Sequence, residues 1–152
     1  MELWGHGKVN YPLLKGLYVF TIVVAGFFGL GMLFMPETAK DWFSMPMDNP
    51  MIYGVTGSVF LAFALVSILG LRSPLKFVPV LLLQLSYKTI WVVLVAIPAL
   101  IDNAFPSWAY MTLIIFLIFI IWDLIAIPFW ILLEKDETIA KTRAVKSKTK
   151  IS

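Results

Sequence analysis

Two side chains of opposite charge interrupt long apolar stretches of this sequence. Lys88 lies within LLLQLSYKTIWVV (Leu81–Val93), and Asp123 lies within IIFLIFIIWDLIAIPFW. Inside a membrane, a lysine can act as counter-ion to an anionic ligand and an aspartate can carry a proton. Together they can anchor the polar head of a quinone or another lipid-like molecule. Gln84 precedes Lys88 by four residues and so shares its helix face. Ser86 and Tyr87 adjoin Lys88, Trp91 follows at i+3, and Trp122 neighbours Asp123. The expected cluster is Gln84, Lys88 and Asp123, with Tyr87, Trp91 and Trp122 as aromatic walls. The competing expectation is architectural: a self-neutralising pair that fixes helix register, since buried ion pairs add little stability but can impose specificity.

The elements that position these residues follow from composition. Hydrophobic residues make up 61% of the 152 and charged residues 14%, against about half and about a quarter in soluble domains. Four stretches, Gly16–Met35, Met51–Leu71, Phe77–Leu100 and Trp108–Leu133, are each long and apolar enough to cross about 30 Å of hydrocarbon. Short connections (PETAKDWFSMPMDNP, RSPLK and IDNAFPS) make each helix antiparallel to the next. The fold expected is an all-α integral membrane protein, an up-down bundle of four transmembrane helices. Residues 1–15 form an N-terminal segment, 16–133 the membrane domain and 134–152 a basic tail, with no sizeable domain outside the bilayer. The first span is expected to remain as a helix, because it is longer than a signal-peptide core and lacks a good cleavage pattern.

Basic residues set the orientation. Lys8, Lys15, Arg72, Lys76, Lys135, Lys141, Arg143, Lys146, Lys148 and Lys150 lie on one side, and Lys40 alone lies in the opposite loops. Such a bias places both termini in the cytoplasm, in the plasma (inner) membrane if the host is bacterial. The net charge of +3 then reflects the tail and gives no argument for nucleic-acid binding. The tail is either a topology anchor or a surface that grazes anionic lipid. In the first outer loop Trp42, Phe43, Met45 and Met47 alternate with charged residues, as in a segment lying in the interface, and Trp108 and Tyr110 start the fourth span at that level.

Helix packing without a hydrophobic drive relies on small residues. Gly26 and Gly29 offer such a face on the first span, and Gly54, Ser58 and Ala62, at strict four-residue spacing, offer one on the second. Pro98 and Pro128 are expected to kink or unwind their helices.

Lys88 lies twelve residues past Lys76 and Asp123 eleven before Glu134, roughly 18 Å and 16–17 Å of helix rise. The two charges therefore fall at nearly equal depth near the midplane. Each alone costs about 2.5–3.5 kcal/mol at a helix centre, and the lysine stem is too short to reach water, so both should face inward.

Other chemistry is poorly served. The chain has no cysteine and one histidine, His6, which removes disulfides, iron–sulfur clusters and bis-histidine haem. There are no paired carboxylates in the spans, no phosphate loop and no nucleophile–base constellation, and no second carboxylate extends a proton path. Catalysis and a metal site are not expected. No cofactor is required, though a quinone, pigment or lipid fits the composition, and an enzyme borrowing a cofactor is the weakest reading. The primary expectation is a non-enzymatic accessory or assembly subunit, with the bilayer and other membrane subunits or its own copies as partners. The alternative is a binding protein or carrier for a small anion, quinone or lipid-like ligand at the charged pair.

The cysteine-free chain makes the topology directly testable. A single Ser107→Cys should react with a membrane-impermeant maleimide in right-side-out vesicles, and Ser73→Cys should react only in inverted ones. The opposite pattern would reverse the orientation.

Overall fold

The computed structural model describes residues 9–43, 45–46 and 48–130. Asn10–Ile127 form one compact unit. Of the second, Met1–Val9 with Pro128–Ser152, only Val9 and residues 128–130 are described. His6, Lys8, Met47, the end of the expected fourth span from residue 131 and the basic tail lie outside the described residues.

Asparagine and proline start the helices. The Asn10 side chain accepts from the Leu13 N–H at 3.1 Å and Pro12 sits in the first turn, opening α1 (Tyr11–Phe34). This start is five residues earlier than the apolar run indicates, so Lys15 belongs to the helix. The short α2 (Pro36–Phe43) follows. Asn49 then accepts from Met51 and Ile52 ahead of α3 (Pro50–Arg72). Both caps satisfy first-turn N–H groups, and proline is preorganised for that position.

The third long segment, Pro74–Ile101, is continuous but not uniform. A 3₁₀ turn (Pro74–Phe77) leads into α4 (Val78–Trp91), a π-helical stretch (Val92–Ala96) and α5 (Ile97–Ile101). Pro98 gives the physical reason for the π stretch. It offers no N–H and crowds the carbonyl one turn back, so the ladder widens there. After a turn with Asn103 at φ 53°, a conformation asparagine tolerates, α6 runs over Ala109–Ala126. The helix breaks there, where Pro128 is expected to unwind it: Ile127 is extended (ψ 122°), as the residue before a proline prefers, and residues 129–130 are helical again.

Four helical segments of 24, 23, 28 and 18 residues are thus long and apolar enough to cross a membrane, and no strand occurs among the described residues. Their burial is inverted relative to a water-soluble protein. Val23, Ile68, Leu94 and Ile125 are exposed, whereas Thr21, Ser67, Gln84, Lys88 and Asp123 are buried. Hydrocarbon is the solvent that accepts this surface, and the chain is an integral membrane protein.

α1 packs along α3, α4 packs against α6, and α1 and α3 each touch the opposite pair. At the α1–α3 crossing, a Cβ on Gly29 would stand 2.6 Å from the Leu61 nitrogen and 2.9 Å from the Gly57 oxygen. Gly26 meets Ala64 at ordinary contact distance. Gly54 has nothing within 4 Å, and Ser58 and Ala62 are exposed. The α3 face that meets α1 is therefore the one carrying Gly57, offset from the strict four-residue stripe. The expected interfacial loop is largely α2, with Ala39 and Phe43 buried and Trp42 stacked on Phe27 at 5.8 Å.

Gly29→Ala should lower stability by about 1–3 kcal/mol, the usual cost of forcing a packed backbone apart. Gly54→Ala should leave it unchanged or slightly raised. Denaturant titration of the purified protein in mixed micelles distinguishes the two.

Candidate functional site

Helix periodicity brings the charged residues inside. Buried positions on α4 are Val78, Leu81, Gln84, Leu85 and Lys88. On α6 they are Ala109, Phe116, Phe119, Asp123 and Ala126. Steps of three and four trace one face of a helix, so the rings at 116 and 119 lie on the same side of α6 as Asp123.

Lys88 is 2% exposed. Its Nζ stands 3.6 Å from the Phe119 ring centroid, 5.1 Å from that of Tyr87 and 5.7 Å from that of Phe116. No carboxylate oxygen lies within 4.0 Å of it among the described residues. A single cation–π contact contributes about 0.5–2 kcal/mol, so the close one to Phe119 does not by itself match the roughly 2.5–3.5 kcal/mol that a lone midplane charge costs. The two more distant rings add to it, so aromatic faces carry much of the burial of the ammonium.

Asp123 is wholly buried, and neither of its oxygens has a hydrogen-bond partner. It lies within coulombic reach of Lys88, Tyr18 and Tyr87. Gln84 lies close enough to interact weakly with it but makes no hydrogen bond of good geometry to either oxygen, and the Gln84 Nε2 donates to Thr21 Oγ1 at 3.2 Å. Asp123 also occupies the last turn of α6, where its own carbonyl accepts from the Ile127 N–H at 3.0 Å. The last turn carries the negative end of the helix dipole, an unfavourable place for an anion.

The expected cluster is distributed as follows. Gln84, Lys88 and Asp123 are buried from two helices, with Tyr87 beside the ammonium. Trp91 packs on Phe116 at 5.2 Å and on Phe105 at 6.5 Å. Trp122 stacks on Phe20 at 5.2 Å and lies over Gly16, with its Nε1 unpartnered. Neither tryptophan supplies the platform for the cation; Phe119 does, and Phe20 backs it at 4.6 Å. Residues absent from the sequence-based cluster are Phe116, Phe119, Thr21 and Tyr18. The two phenylalanines stand seven and four residues before Asp123, a readable spacing. Thr21 is the only Ser, Thr, Asn or Gln in α1. Tyr18 donates its hydroxyl to the Pro74 carbonyl at 2.8 Å, and its ring occupies the space left by Gly70; the long-range partner gave no local signal.

A cavity of about 30 Å³ adjoins Lys88, with Ala25 and Phe28 of α1, Phe60 of α3, Thr112 of α6 and Met45 among its walls. That volume admits about two water-sized bodies. A larger groove of about 410 Å³ lies between α3 and α4, lined by Val59, Ala62, Phe63, Leu83 and others. It presents almost purely hydrocarbon walls and offers no charged group.

No group of three or more metal-ligating side chains occurs among the described residues. Fold and site define an all-helical integral membrane protein with a polar interior. No family model matches the chain, and no curated protein or solved structure is detectably similar to it.

Thr21→Val should leave the Gln84 amide without its acceptor and cost about 1–3 kcal/mol, whereas Thr21→Ser should cost much less. Unfolding titrations of both variants check this, and equal losses would mean that the methyl group matters more than the hydroxyl.

Proposed function

We propose that the chain is a membrane-embedded binding protein whose site is centred on Lys88 and Asp123. Its setting is an up-down four-helix bundle with both termini in the cytoplasm, in the plasma membrane if the host is bacterial. The observation that carries the reading is the open geometry of the two charges. An ion pair that served only to register α4 against α6 would be closed, because desolvation is offset only when geometry and hydrogen bonding are good. Here the ammonium rests on phenyl rings beside a cavity, and both carboxyl oxygens lack partners.

The chemistry of the walls describes the ligand. One end must accept hydrogen bonds or bear negative charge, to meet Lys88, and the remainder must be apolar, to meet Ala25, Phe28 and Phe60. A small anion, a quinone carbonyl and a lipid head group share that end. About 30 Å³ receives the polar end alone, well below the roughly 300 Å³ at which complete ligand pockets begin, so the body of the ligand parts Phe28, Phe60 and Met45. The wide outward apolar faces of the helices are satisfied by lipid and do not by themselves call for a partner subunit.

Stability and binding separate this reading from the architectural one. Lys88→Met should fold with undiminished stability, since it removes a buried cation that has no direct ion partner, and it should lose any amphiphile that native mass spectrometry detects on the wild type in mild detergent. If Lys88→Met and Asp123→Leu each cost about 3–5 kcal/mol and the double variant regains it, the pair is architectural and the binding reading fails. Co-migrating larger subunits with no retained small molecule would favour an accessory role instead.

A further inference from the structure

Resting on that binding reading, we infer that the ligand is an amphiphilic monoanion of the carboxylate or sulfonate class, and that it binds together with one proton carried by Asp123. Charge must balance in a dry interior. Lys88 and Asp123, ordinarily charged, sum to zero, and among the described residues no other strongly acidic or basic side chain faces them. α1 presents Tyr18 and Thr21, and α4 adds Gln84 and Tyr87; Lys15, Arg72 and Lys76 are exposed. In α3 the other titratable group, Tyr53, lies towards Glu37.

An anion docking on the ammonium would therefore leave a net negative charge in a dry interior. One added proton restores neutrality, and Asp123, within coulombic reach of Lys88 though not itself a wall of the cavity, is the buried group that can take it. It is wholly buried, unpartnered at both oxygens and in the last turn of α6, where helix carbonyls already disfavour an anion. Phe119 stands one turn before it on the same face and holds the Lys88 ammonium at 3.6 Å from its centroid. The lysine head thus stands near the carboxylate without being committed to it, free to pair with an incoming anion. A single cation matches a single negative charge, which disfavours dianionic phosphomonoesters, and the mostly apolar walls match an alkyl tail.

For a carboxylic acid the step is a simple transfer. The acid O–H breaks, an O–H forms on an Asp123 oxygen, and the new carboxylate pairs with the ammonium. For a sulfonate, which stays ionised, the proton is taken up through the aqueous phase from the buffer acid, whose O–H or N–H breaks as the O–H on Asp123 forms and whose conjugate base stays in solution.

The test uses decane-1-sulfonate, which takes up no proton itself, and the whole protein in phosphatidylcholine nanodiscs. Titration calorimetry in two buffers of unlike protonation heat, corrected with empty nanodiscs, counts protons taken up per sulfonate bound. The expected count is one, with affinity falling by up to tenfold per pH unit of increase while Asp123 is ionised in the free protein. Asp123→Asn should bind sulfonate with no proton uptake and little pH dependence. Binding to the wild type without proton uptake overturns this inference and leaves the binding site standing. Uptake that persists in Asp123→Asn overturns the assignment to Asp123. Absence of saturable binding overturns both the inference and the binding reading. Should Asp123→Asn fail to fold, the wild-type proton count still decides the coupling.

Discussion

The interior of this protein is organised around a cation that cannot reach water. Lys88 stands fourteen residues past Pro74 and thirteen before Ile101, at the middle of the third long segment. Its stem is far shorter than the distance to either end, so snorkelling gives no relief. The alternatives are a counter-charge, a polar ligand or the faces of aromatic rings. The fold supplies the rings directly and the counter-charge at a remove. The face of α6 follows from this need: Phe116, Phe119 and Asp123 stand along one line of that helix, so a lysine from α4 meets first an aromatic surface and then a carboxyl group.

The two helix pairs hold together by different means. Between α1 and α3 the backbones themselves come close, because Gly29 and Gly57 leave no side chains between them. Dispersion contacts at such a crossing are many and short, and they do not depend on charge. Between α4 and α6 the interior is wider and carries the ionisable groups. Hydrogen bonds tie the pairs at two points: Gln84 reaches Thr21 on α1, and Tyr18 of α1 reaches the Pro74 carbonyl. A close-packed helix pair beside a pair with polar contents is a suitable frame for a site, since the α1–α3 backbones can stay fixed while side chains around Lys88, Phe28 and Phe60 among them, move.

Much of this was legible in the sequence, and the failures have physical causes. The four long apolar stretches announced themselves, because hydrocarbon thickness imposes a length that few other constraints do. Lys88, Gln84 and Asp123 stood out as costly residues in apolar surroundings. The start of α1 was less visible, since Asn10 and Pro12 begin it within what reads by hydropathy as a flank, whereas the break of α6 at Ile127 falls where Pro128 is expected to unwind the helix. In both places a local backbone preference outranks apolarity. The aromatic walls were assigned to Trp91 and Trp122 by nearness in sequence, whereas the rotation of α6 brings Phe116 and Phe119 to the ammonium instead. The small-residue stripe Gly54, Ser58 and Ala62 kept a perfect period and still faces outward. Periodicity identifies a face but not the direction in which it points, which is decided by which helix lies alongside.

The end of α6 links backbone chemistry to the behaviour of the site. Pro128 in the sequence forces Ile127 out of the helical region, and Asp123 consequently falls in the last turn. Had the helix passed Pro128 unbroken, the carboxyl group would sit mid-helix, where the dipole contributes little, and an ordinary ion pair with Lys88 would be its easiest state. Placed at the carbonyl end, the same group is pressed from one side by the helix terminus and attracted from the other by a lysine already held on Phe119. A carboxyl group so balanced can exchange its partner for a proton at small cost. On this view, a proline five residues beyond Asp123 makes the difference between a fixed ion pair and a site able to take up a ligand.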